Sequence, residues 1–126
     1  MVVVDTSAWI EWLLDSATGK RVTPLLPRQD EWLLPTIVQL ELMKWLLREI
    51  GEDKADQVLA FSMMCNVQPL DTEIALAAAE LCRTHKLATA DAIVYATARA
   101  AGAELLTCDA HFEGMPGIRL IPKLPA

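Results

Sequence analysis

The chain has 126 residues, a formal net charge of −6, 53% hydrophobic residues and a mean hydropathy of +0.28. That length is expected to form a single domain over residues 1–126, and so apolar a composition excludes a disordered acidic tail. No apolar run approaches the ~18 residues of a membrane span. The opening Met1-Val2-Val3-Val4-Asp5 meets an acid too early for a signal peptide, so a cytoplasmic protein without a membrane partner is expected.

Val2–Val4 is a β-branched run that suits a strand buried on both faces, as in a parallel sheet. Trp9, Ile10, Leu13 and Leu14 recur at helical spacing, which predicts a helix from Ser7 to about Asp15 with Thr6 or Ser7 as its cap. Gly19 to Arg28 is less regular and reads as a short helix ended by Pro27. A second strand is expected over Glu31–Leu34. Next comes a helix from Pro35-Thr36 to about Ile50, with Thr36 and Gln39 spaced as a capping box and Gly51 as a stop. Further helices are expected over Asp53–Met64, Thr72–His85 and Leu87–Ala101, the last capped near Thr89 and closed by Gly102. Short strands are expected at Asn66–Pro69, Glu104–Thr107 and Ile118–Ile121, with a loop holding one helical turn over Cys108–Met115. The alternation implies an α/β fold, a three-layer sandwich with a short parallel sheet flanked by helices. Right-handed crossovers then gather the C-terminal ends of the strands at one edge, where ligands bind in such sheets.

Four acids fall toward that edge. Asp5 ends the first strand, and Asp109 lies just past the fourth. Asp91 falls in the first turn of its helix and Glu41 in the second turn of its own. Each has an ordinary use taken singly. Asp5 can satisfy backbone donors at a strand–helix turn, Asp91 can complement a helix dipole, and Asp109 can close a turn. Glu41 shares a helix face with Lys44 and Arg48 and can pair there. Taken together they form a candidate cluster. Two carboxylates ~5 Å apart repel by about 3 kcal/mol at an effective dielectric near 20, so a cleft holding four needs protons or hard cations. Oxygen ligands favour one or two Mg²⁺ or Mn²⁺ ions, and such a site suits phosphodiester hydrolysis. The −6 charge argues against nucleic-acid binding through a general basic face, but bound cations would reverse the local field. The cysteines, Cys65, Cys82 and Cys108, are an odd set without repeated spacing, and His85 and His111 are too few for a three-histidine metal site.

At these residues the sequence resembles a PIN-domain endoribonuclease of the VapC toxin type. The matching segments are Val3-Val4-Asp5-Thr6-Ser7 before an apolar helix, Glu41-Leu42, LATADAIVYATA over 87–98, LLTCDAHF over 105–112 and PGIRLI over 116–121. The chain departs from the family's pattern at Lys44-Trp45, where a small residue is usual. The resemblance implies a quartet of metal-holding, catalytic acids at Asp5, Glu41, Asp91 and Asp109, with Ser7 and Thr107 in support. It also implies Mg²⁺ or Mn²⁺, cleavage of transfer or ribosomal RNA, a homodimer, and a cognate antitoxin. Lys44 and Arg48, one turn apart beside Glu41, are candidate phosphate contacts. Trp9, Trp12, Trp32 and Trp45 read as core or as an interface. Two rival readings are a catalytically inactive PIN-like binding module and a phosphoacceptor signalling domain of similar length.

Overall fold

The computed structural model describes residues 1–125. Five parallel strands, β1 (Val2–Val4), β2 (Trp32–Pro35), β3 (Asn66–Gln68), β4 (Glu104–Thr107) and β5 (Ile118–Leu120), form one sheet in the order β3-β2-β1-β4-β5. Six helices accompany them among the described residues: α1 (Thr6–Leu13), α2 (Ala17–Val22), α3 (Thr36–Glu49), α4 (Glu52–Ser62), α5 (Thr72–His85) and α6 (Thr89–Ala100). Short 3₁₀ turns occupy Thr23–Leu25, Gln29–Glu31 and Ala110–Phe112.

The central strands explain the buried β-branched and leucine runs. Val3 and Val4 of β1, Leu33 and Leu34 of β2, and Leu105 and Leu106 of β4 are all buried, as a sheet covered on both faces requires. Trp9 and Trp32 are buried too, and with Trp12 and Phe61 they form an aromatic cluster whose ring centroids lie 4.8–5.8 Å apart. Trp12 and Trp45 are half-buried, so the core reading holds fully for two of the four tryptophans.

The strand order decides where a site can form. From β1 the chain steps outward through β2 to β3, then returns to lay β4 on the other side of β1, with Val2 beside both Trp32 and Glu104. The gap between β1 and β4 is therefore the topological switch point, where diverging connections leave a crevice at the strands' C-terminal ends. A phosphoacceptor domain uses the order 2-1-3-4-5, so this sheet rules that rival out.

Several expected helix caps are absent, and at α1 and α3 other partners claim the side chains. The cap of α1 is Asp5, which makes no side-chain capping bond, while Thr6 donates to Glu41 and Ser7 donates to Asp5 itself. The Thr36–Gln39 capping box does not form. Pro35 occupies the cap, Thr36 Oγ1 accepts from the Leu70 N–H at 3.3 Å, and Gln39 Nε2 donates to Ser62 Oγ at 3.2 Å. Helix α6 is entered through Ala88 without a side-chain cap. The irregular segment after Asp15 instead opens with a well-capped helix, Ser16 Oγ accepting from the Gly19 N–H at 2.9 Å.

Candidate active site at the C-terminal edge of the sheet

Asp5 sits where β1 ends beside β4, and its backbone N–H donates to the Leu106 carbonyl at 2.9 Å. Its side chain is 4% exposed. The hydroxyls of Thr107 and Ser7 both donate to its Oδ2, at 2.7 and 2.8 Å. These hydroxyls also hold the start of the next loop. Ser7 Oγ accepts from the Cys108 N–H at 3.0 Å, and Thr107 Oγ1 accepts from the Asp109 N–H at 3.0 Å. The end of β4, the first turn of α1 and the Asp109 loop are thus tied to one carboxylate. Burial raises the Asp5 pKa from 3.8 to about 6. The Thr107 and Ser7 hydroxyls pull it down, and the Asp91 charge adds to the rise.

Asp91 arrives from the opposite connection. The turn at Gly102 (φ +63°) links the end of α6 directly to the start of β4, with the Ala103 N–H on the Ala98 carbonyl at 2.8 Å. Helix α6 therefore runs antiparallel to β4, and its first turn stands at the strands' C-terminal edge. The Asp91 carboxyl is held above the usual range, first by burial, then by Asp109, with Glu41 adding to the rise and His111 opposing it. Glu41 comes from the second turn of α3, where Thr6 Oγ1 donates to its Oε1 at 2.8 Å. The pairing expected of Glu41 with Lys44 and Arg48 is absent. Arg48 instead meets Glu49 at 2.8 Å, and both basic side chains are exposed.

The structure thus sets Asp5, Glu41 and Asp109 close enough to Asp91 to disturb its titration or be disturbed by it. Asp109 also serves as a turn residue, its Oδ1 accepting from the His111 N–H at 2.9 Å. Two residues of the site were missed in the sequence. Thr6 looked like a helix cap and orients Glu41 instead. His111 and His85 are too few for a three-histidine site, yet the His111 Nδ1 lies 3.2 Å from Asp109 Oδ1 and 3.6 Å from Asp91 Oδ2. Its position two residues after Asp109 was the available signal.

The donor set fits a hard divalent cation. Burial, and neighbouring carboxylates after it, keep Asp5 and Asp91 avid for positive charge, and carboxylate oxygens dominate the group. Thiol chemistry does not fit, since burial pushes the nearby Cys108 up to about 11 and leaves it protonated.

Fold and site together define a class: a parallel α/β architecture with carboxylates gathered at its switch point. The sequence matches the PIN-domain family model over residues 2–118, and the chain belongs to that family. Solved structures share the architecture. A toxin–antitoxin complex from Klebsiella pneumoniae superposes with a TM-score of 0.85 at 22% identity, covering 98% of this chain and 100% of that one. VapC20 of Mycobacterium tuberculosis, described as a Sarcin-Ricin loop cleaving toxin, gives 0.79 at 21% identity, with 97% and 100% covered. FitAcB from Neisseria gonorrhoeae gives 0.69 at 23% identity, with 88% and 89% covered. No curated protein matches the sequence. Among the described residues, no helix is long and apolar enough to cross a membrane.

Proposed function

We propose that this PIN-domain chain is a metal-dependent endoribonuclease, the toxin of a toxin–antitoxin pair, which hydrolyses RNA phosphodiester bonds. The observation that carries the proposal is the convergence of buried and half-buried carboxylates at the switch point, where burial above all, and neighbouring carboxylates after it, push Asp5 up to about 6 and hold Asp91 above its ordinary value. A fold does not hold such groups together without a use for them, because each costs stability unless a cation or a proton sits among them.

Asp5, Glu41, Asp91 and Asp109 would hold Mg²⁺ or Mn²⁺, as one or two ions. A bound divalent cation supplies Lewis-acid activation of the attacking water and neutralises charge that builds on the phosphate. The protein's own part is positional. Thr107 and Ser7 hold the ionised form of Asp5 and fix its Oδ2, which is why a nearly buried carboxyl stays available as a ligand. Thr6 fixes Glu41 from the neighbouring helix. Asp91 and Asp109 keep 21% and 27% of their side chains exposed, so the open side of the cluster faces solvent and an incoming RNA strand. Lys44 and Arg48 are exposed beyond Glu41 on α3 and are positioned along the helix for the phosphate backbone.

The fold shared with toxin–antitoxin complexes supports a cognate antitoxin as partner. Leu40 and Leu47 of α3, Ile50 at its C-terminal cap, and Met63 and Met64 after α4 are exposed apolar residues, which supports a homodimer.

The test uses purified, antitoxin-free protein on transfer and ribosomal RNA with Mn²⁺ or Mg²⁺. Cleavage is expected, and EDTA and Asp5→Asn should each remove it. RNA that is bound but never cut would instead make the chain a binding module. Mapping new 5′ ends in cells after induction identifies the target.

A further inference from the structure

We propose that His111 supplies a nitrogen ligand to the cation held by Asp91 and Asp109, so that the site prefers first-row transition ions to Mg²⁺. The proposal rests on the metal-dependent reading above and extends its ligand set beyond carboxylates.

His111 Nδ1 stands 3.2 Å from Asp109 Oδ1 and 3.6 Å from Asp91 Oδ2. One ligand atom from each of the three residues lies within 4.8 Å of the others. Neighbouring ligands on a small divalent ion sit about 3 Å apart, because each bond is near 2.1 Å. The three side chains therefore already span part of one coordination shell, and modest side-chain movement would bring their ligand atoms to that spacing. The local backbone explains how this comes about. Asp109 caps the 3₁₀ turn Ala110–Phe112, and its Oδ1 takes the His111 N–H at 2.9 Å. Phe112 is fully buried and anchors the turn, which leaves His111 on the outer side against the carboxylates.

An imidazolium merely paired with two carboxylates is the competing explanation. The His111 side chain is 75% exposed, and an ion pair that open to water contributes little. Coordination makes stronger use of the same geometry. Imidazole nitrogen is a softer donor than carboxylate oxygen and favours cobalt and nickel, whereas a site of oxygens alone suits magnesium. Asp91 and Asp109 by themselves set affinity for any divalent ion, and His111 sets which ion is preferred.

Isothermal titration with Mg²⁺ and with Co²⁺ tests this on the wild type, His111→Asn, His85→Asn and Asp91→Asn. Wild type and His85→Asn should bind Co²⁺ at least about tenfold more tightly than Mg²⁺, and His111→Asn should lose most of that margin while its Mg²⁺ affinity changes less than about threefold. Pulsed electron paramagnetic resonance of the Mn²⁺-loaded protein should show nitrogen coupling in wild type and His85→Asn, and none in His111→Asn. Equal losses for both ions, unchanged binding, or nitrogen coupling that survives in His111→Asn would overturn the assignment. The two readings fail differently. If Asp91→Asn abolishes binding while His111→Asn leaves the ion preference intact, only the histidine is wrong. If Asp91→Asn binds both ions as wild type does, the metal site itself is wrong.

Discussion

Asp5 is where packing and chemistry compete within a single side chain. Burial opposes its charge, two hydroxyls favour it, and the balance leaves its pKa at about 6 against an ordinary 3.8. The folded state therefore holds this proton more tightly than the unfolded chain. Its contribution to stability is present at low pH and is lost as pH rises from about 4 to about 6, levelling off above. The full swing is about 3 kcal/mol for a shift of that size. In metal-free protein, urea unfolding should show Asp5→Asn gaining stability relative to wild type across that window. Asn keeps an oxygen that accepts from Thr107 and Ser7 and carries no charge. Parallel pH profiles for the two proteins would contradict the shift. The same side chain illustrates what a sequence conceals. Asp5 after Val4 is visible as a strand-end acid, but its coupling to Thr107 spans a separation of 102 positions and exists only once β1 lies beside β4.

At the scale of elements, the helix ends and the glycine stops at Gly51 and Gly102 were legible, and several side-chain caps at helix starts were not. Strand and helix boundaries mostly fall within two residues of where periodicity puts them, because amphipathic spacing is local information. Capping is local only when no tertiary partner competes. Thr6, Ser7, Thr36 and Gln39 all carry capping chemistry, and all engage groups far along the chain, Ser7 while also holding Asp5. Gly19 lies buried inside α2, where a Cβ would stand 2.0 Å from the Glu11 carbonyl oxygen of α1. Both atoms that would collide are backbone, so the two helices would have to separate. Gly19→Ala is expected to destabilise the protein by about 1–3 kcal/mol or more, the usual range for overpacking. Thermal unfolding checks it, and an unchanged midpoint would show that α1 and α2 separate freely.

For the whole molecule, charge and function have to be reconciled. A chain of net charge −6 does not attract RNA at long range, so binding depends on local positive charge from cations and from a few basic side chains. Lys44 and Arg48 are the nearest basic pair along the helix that carries Glu41. Replacing both with Gln should weaken RNA binding about equally for all sequences and flatten the slope of log K against log salt by about 2. Binding measured across a salt series with Mn²⁺ held constant decides this, and an unchanged slope removes both residues from the interface.

The sequence by itself determined the α/β alternation, the buried character of β1, β2 and β4, and the placement of Asp5, Glu41, Asp91 and Asp109 near element ends. These follow from periodicity and from the need to bury apolar surface, both of which act along the chain. Only the tertiary structure decided that β4 returns to lie against β1, that Thr6 serves a carboxylate rather than backbone, that Thr107 joins Asp5 to the Asp109 N–H, and that His111 stands beside Asp91 and Asp109. Contacts between residues a hundred positions apart depend on strand order, and strand order is set by how the whole core packs.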